Sequence, residues 1–96
     1  VAFLSSEDFA KVIASTPLVS IDFLVTNSKD QVLLGQRVNK PALGYWFVPG
    51  GRILKNETIE QAMARLSTQE LGIKLDTGVA MFAGVFEHFY EDNTFN

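Results

Sequence analysis

Apolar positions recur along the chain with two different periods, and each change of period marks the end of an element. Phe9, Val12 and Ile13 form one helical face behind Ser5-Ser6-Glu7-Asp8, where Ser5 is placed to cap the helix and Asp8 can reach back to it. Leu4 and Phe9 stand at staple spacing, and Ser15-Thr16-Pro17 ends the helix. From Leu18 to Thr26 the period shortens to two, which predicts a strand with Val19, Ile21, Phe23 and Val25 on one face. Leu18, Ser20, Asp22 and Leu24 line the other face, so Asp22 has leucines for neighbours. Asn27-Ser28-Lys29-Asp30 reads as a turn into a paired strand from Gln31 to Gln36.

A loop from Arg37 to Gly44 then leads to a short strand, Tyr45-Trp46-Phe47-Val48, which Pro49-Gly50-Gly51 is expected to break. The helical period returns with Ile59, Met63 and Leu66. This second helix is predicted to start at Thr58, with Gln61 completing a capping box, and to end at Leu71 before Gly72 in the left-handed cap position. Val79 to Tyr90 reads as one long strand, bent at Gly84.

Ninety-six residues, 47% of them hydrophobic, suffice for one small core and one domain. The net charge of -3, with scattered basic residues, gives no electrostatic footprint for nucleic acid or an anionic membrane. A phosphate-bearing substrate would have to be met by a few placed arginines or a metal. The absence of cysteine excludes thiolate catalysis, disulfides and thiolate metal sites, and fits a cytoplasmic protein. No apolar run approaches membrane-spanning length, and the first residues carry early acids instead of a basic, signal-like region.

On a regular helix Glu70 returns to the stripe of Ile59, Met63 and Leu66, which places a carboxylate on an apolar face. An unpaired charge buried there would cost roughly several kcal/mol, so it must be protonated, paired or bound to a metal. A salt bridge to Arg65 or Arg52, or exposure in the last turn, is the structural alternative. Mg²⁺ suits one carboxylate, a backbone carbonyl from Pro49-Gly50-Gly51, waters and substrate phosphates. Arg37 and Arg52 lie in a loop and after a glycine turn, where guanidinium forks can grip phosphate oxygens. Arg65 reads as a structural partner and Glu57 as either a solvated acid or a functional one. Asp22 is a candidate because of its apolar neighbours, against the alternative of a buried aspartate satisfying backbone amides. His88, the one histidine, shares a face with Phe82, Phe86 and Tyr90; it is either structural or an acid–base or phosphate contact. Phe3, Leu4 and Phe9 are core residues or aromatic and apolar contacts for a nucleobase.

The run from Gly51 to Ile73 resembles a Nudix box. In that pattern Gly51, Glu57, Arg65, Glu70, Gly72 and Ile73 fall in register, whereas Leu66 and Gln69 stand where glutamates belong and Ser67 stands for an aliphatic. With Thr16 to Phe23, Leu33 to Arg37, Gly44 to Arg52 and His88-Phe89-Tyr90, the chain looks like the GDP-mannose mannosyl hydrolases, a divergent Nudix branch. The resemblance covers essentially the whole chain. It implies an α+β fold, a Nudix-type α/β/α sandwich with a mixed sheet. That fold normally continues through more strands and a second helix. Residues 1–96 are therefore expected to be a single Nudix domain missing its C-terminal part, consistent with the polar ending Glu91-Asp92-Asn93-Thr94-Phe95-Asn96.

By resemblance the activity is hydrolysis of GDP-mannose, and also GDP-glucose, to GDP and free sugar with inverting attack at the anomeric carbon. One Mg²⁺ per site is implied, held by the Gly50 carbonyl and Glu70. Arg37 and Arg52 are implied as diphosphate and leaving-group contacts, Asp22 and His88 as active-site residues, and Phe3, Leu4 and Phe9 as nucleotide contacts. A homodimer is a trait of the family. Its general-base histidine and a further glutamine ligand lie downstream of the matched region, so a chain truly ending at Asn96 is expected to be inactive. Departure of GDP from carbon needs mainly its diphosphate stabilised, so loss of acids at Leu66 and Gln69 should matter little. Attack at phosphorus gains more from several metals. The alternatives are a pyrophosphohydrolase of nucleotide sugars and a catalytically silent nucleotide-sugar-binding module.

Overall fold

The computed structural model describes residues 4–40, 42–76, 78 and 80–90. Helix α1 (Ser6–Ser15) is followed by strands β1 (Ser20–Asp22), β2 (Gly35–Gln36), β3 (Trp46–Phe47) and β4 (Gly50–Arg52), then helix α2 (Ile59–Leu66). A π-helical turn, Ser67–Leu71, extends α2.

Local chemistry sets the helix ends where the sequence places them. Ser5 Oγ accepts the Asp8 N–H at 3.2 Å, and the far end of α1 closes on Val12 O, which accepts both the N–H and the hydroxyl of Thr16. Thr58 caps α2 with a reciprocal box: Gln61 N–H donates to its hydroxyl and Gln61 Oε1 accepts its N–H. Gly72, at φ 71°, ends the π turn in the left-handed conformation. The turn after β1 is organised by Asn27, whose Oδ1 accepts the N–H groups of Lys29 and Gln31.

The strands are shorter than their alternation predicts. β1 pairs antiparallel with β4 in the register Ser20↔Arg52, Ile21↔Gly51 and Asp22↔Gly50, and β2 with β3 as Gly35↔Phe47 and Gln36↔Trp46. An isolated bridge, Thr26↔Val32, continues the hairpin across the Asn27 turn. All pairing among the described residues is antiparallel, so the mixed sheet expected from the resemblance is not observed there. Residues 80–90 form no strand: no described neighbour supplies a ladder, and Met81, at 92% exposure, and Phe82 stand in solvent.

Pro49-Gly50-Gly51 also departs from expectation, because the glycines belong to β4 instead of breaking the chain. Opposed residues of an antiparallel pair share a face and adjacent ones alternate. A Cβ on Gly51 would meet Leu66 Cδ2 at 2.5 Å, so α2 covers the Ile21 and Gly51 face. Arg52 points the other way, its guanidinium 4.3 Å from the centroid of the Phe9 ring of α1. The two helices thus lie against opposite faces of the β1–β4 ribbon.

The described core is small, with Phe23, Ala42, Ala62, Leu66 and Ser67 buried. Ile59, assigned by its period to the buried stripe of α2, is instead 66% exposed. The buried face centres on Ala62 and Leu66.

A Cβ on Gly50 would collide with the carbonyl of Ile21 and the backbone of Asp22, neither of which can rotate away. Gly50→Ala should therefore lose about 2–3 kcal/mol of stability. Gly51→Ala, which displaces only the end of Leu66, should lose about 1 kcal/mol. Urea unfolding of the pair measures the difference, and equal losses would contradict the close approach at Gly50.

Candidate active site

The loop between β4 and α2 is held by one ion pair. Arg65 Nε donates to Glu57 Oε2 at 2.8 Å and Nη2 to Oε1 at 2.9 Å, a bidentate contact with both side chains largely shielded. The same Nη2 donates to the carbonyl of Arg52 at 2.7 Å, and Nη1 to Gln69 Oε1 at 3.2 Å. Glu57 Oε1 also accepts the Leu54 N–H. These hydrogen bonds, that from Arg65 first, hold the Glu57 carboxyl down at about 2, and Glu57 in turn raises Arg65. Glu57 is thus a shielded structural acid and Arg65 its partner. Neither Arg65 nor Arg52 is paired with Glu70 in any ion pair the structure shows among the described residues.

The ladder orients the neighbouring backbone. Phe23 N–H donates to Pro49 O and Ile53 N–H to Val19 O, which makes alternate pairs of the register the hydrogen-bonded ones. Gly50 and Arg52 occupy the intervening positions, so their carbonyls point away from β1 along one edge. Arg52 presents its carbonyl to Arg65 there, and Gly50 presents its own two residues earlier.

Beside that edge is an open cleft of about 320 Å³. Leu33, Leu34, Phe47, Val48 and Pro49 form its apolar wall; Arg37, Gly50 and Glu70 also line it. Arg37 is positioned by the β2–β3 hairpin, through its N–H to Tyr45 O at 2.8 Å and its carbonyl from Gly44 N–H at 3.0 Å. Glu70 comes from the π turn and is exposed, not buried on the apolar stripe. A larger open groove, about 520 Å³ beside Thr58, Glu60, Gln61 and Lys74, collects none of the candidate residues.

The other candidates are distributed around the cleft. Asp22 is exposed instead of buried, and its carboxylate lies over Gly50, where an added Cβ would stand 2.9 Å from Oδ1. Arg52 and Phe9 are brought together on the α1 side of the ribbon, outside the cleft lining. Leu4 is exposed, and Phe3 lies outside the described residues. His88 stacks on Tyr90 at 6.2 Å with an 8° interplanar angle, and both rings approach Phe47, itself part of the cleft wall.

A model of the NUDIX domain matches residues 16–96. The chain belongs to the Nudix family. It is 44% identical over 88 residues to the low-salt glycan biosynthesis protein Agl8 of Haloferax volcanii, covering 92% of this chain and 54% of that protein. It is 37% identical over 51 residues to an 8-oxo-dGTP diphosphatase of Proteus vulgaris, or 52% of this chain and 46% of the relative. With the 8-oxo-dGDP phosphatase NUDT18 of Danio rerio the identity is 36% over 50 residues, 52% of this chain and 15% of the relative.

Beyond Glu57, which is paired with Arg65, the three remaining acid positions of the Nudix box are filled in three ways here. Glu70 lines the cleft, Leu66 is 2% exposed against Gly51, and Gln69 accepts a hydrogen bond from Arg65. Among the described residues no group of three His, Cys, Asp or Glu side chains could hold a metal. One carboxylate, an outward carbonyl and room for waters and phosphate oxygens still fit a single Mg²⁺, which keeps much of its water. The sequence reading missed Phe47 and the leucine pair as cleft wall. Their signal was the Leu33 to Arg37 and Tyr45 to Val48 runs flanking one loop, which marks a hairpin.

Because Glu57 falls from an ordinary 4.5 to about 2 in the folded protein, its stabilisation is complete above about pH 5. It is lost as pH drops toward 2. Glu57→Gln should flatten the dependence of the unfolding midpoint on pH between about 5 and 2 while lowering it at pH 7. Thermal unfolding across that range checks both, and an unchanged slope would exclude Glu57 as its source.

Proposed function

We propose that this Nudix protein hydrolyses GDP-mannose, with GDP-glucose as the other candidate substrate, to GDP and free sugar by inverting attack at the anomeric carbon. The observation that carries this reading is the reduction of the box to one cleft-lining carboxylate, Glu70, beside Gly50 and Arg37. Leu66 is core and Gln69 is neutral and bonded to Arg65. Such a site is poorly supplied for cleavage at phosphorus, where several cations help to neutralise the phosphoryl group. It is adequate for releasing an intact diphosphate from carbon. The relationship to a protein of glycan biosynthesis supports a nucleotide-sugar substrate.

In this reading Gly50 O and Glu70 hold Mg²⁺, which when bound supplies positive charge to the diphosphate leaving group. Arg37 grips diphosphate oxygens from the hairpin side, and Leu33, Leu34 and Phe47 give that part of the cleft an apolar wall. Arg52 reaches the nucleotide from the α1 side, together with Phe9 and the N-terminal Phe3 and Leu4. Asp22 and His88 face the sugar; His88 is not given the role of general base. A homodimer belongs to the same proposal. The diphosphatase and phosphatase relatives favour the second reading, pyrophosphate cleavage to GMP and mannose 1-phosphate.

Turnover of GDP-mannose in oxygen-18 water by the longest natural form of the protein, with mass spectrometry of products, separates the readings. Label in mannose is the expected result, and Glu70→Gln should lower the rate about 100-fold. Label in GMP or the sugar phosphate would establish attack at phosphorus, and tight binding without product would identify a binding module.

A further inference from the structure

The end of α2 leaves the α-helical register at a position that the cleft depends on. Ser67 is the one buried polar side chain among the described residues, at 0% exposure, where an aliphatic side chain would be ordinary. Its hydroxyl donates to Ala64 O at 3.1 Å and accepts the Leu75 N–H at 3.3 Å. Thr68 donates its own hydroxyl to the same Ala64 oxygen at 3.0 Å, and the Ser67 N–H is directed there as well. One carbonyl thus receives two hydroxyls and an amide, three residues before the π turn begins at Ser67. Hydroxyls that back-bond into the preceding turn compete with the i→i−4 ladder and bend helices. Here both hydroxyls crowd Ala64 O, the carbonyl that Thr68 N–H would take in an α-helix.

The rotation that follows decides where Glu70 points. At about 100° per residue Glu70 would return to the buried stripe of α2. The wider π turn advances less per residue and so changes the direction of Glu70, which is exposed there and lines the cleft. The bond to Leu75 fastens the segment beyond Gly72 to the same hydroxyl, so the turn cannot relax by moving its C-terminal side alone.

We infer that Ser67 is a positioning residue: its buried hydroxyl, assisted by that of Thr68, fixes the π turn that presents Glu70 to the cleft. The inference rests on the proposed role of Glu70 as a metal ligand. Neither residue lines the cleft; both act through the path of the backbone.

Mn²⁺ binding to the full-length protein, followed by the electron paramagnetic resonance of the free ion, tests this without turnover. Ser67→Ala should weaken Mn²⁺ binding about tenfold at a temperature well below its unfolding midpoint, as loss of a supporting contact to a ligand does. Thr68→Val, an exposed substitution that does not endanger folding, should weaken it less but in the same direction. Glu70→Gln should weaken it more than either. Unchanged affinity in Ser67→Ala alongside a loss in Glu70→Gln would overturn the inference and leave the metal reading standing. No effect of Glu70→Gln would overturn both. If Ser67→Ala does not fold, unchanged affinity in Thr68→Val overturns the inference.

Discussion

The bidentate contact between Glu57 and Arg65 is the constraint from which the geometry of the site follows. A shielded ion pair is stabilising only when its remaining donors and acceptors are satisfied, and here they are. Leu54 N–H, Arg52 O and Gln69 Oε1 complete the pair. The guanidinium therefore joins an edge of β4, the loop that follows it and the far end of α2. Gly50 and Glu70 face one cleft because the two elements carrying them are tied at this point. Packing adds a second tie on the same side of the ribbon, where Leu66 fills the space left by the missing side chain of Gly51.

What could be read from the sequence was mostly what is decided locally. The Ser5 and Thr58 caps, the Asn27 turn and the left-handed Gly72 each depend on residues within one turn of one another, and all stand as expected. The strands depend on partners distant in sequence, so alternation from Leu18 to Thr26 overstated a ladder of three residues. Gly50 and Gly51 look like a break in the sequence because the contacts that require glycine, Ile21 and Leu66, are not neighbours in the chain. Regular turns would carry Glu70 to a buried stripe. The hydroxyls of Ser67 and Thr68 change the count, and nothing in hydrophobic periodicity registers that.

The meeting of Arg37, Gly50 and Glu70 in one cleft was legible through the box and its flanking segments, since these supplied long-range information that periodicity lacks. Asp22 and Arg52 were less so. The first is exposed over Gly50 and the second stacks on Phe9, on the face of the ribbon away from α2. The site is thus spread over both sides of a narrow two-stranded element.

Leu66 carries a consequence for how the site can be altered. In the family pattern its position belongs to a carboxylate; here it is the side chain that α2 presses into the ribbon. Chemistry and packing have come to be written on the same residue. A glutamate at this position would place charge in the core, at a cost of roughly several kcal/mol unless water or a cation reached it. Leu66 thus works as a packing residue first, and any acid introduced there would have to be accommodated by the ribbon before it could serve a cation.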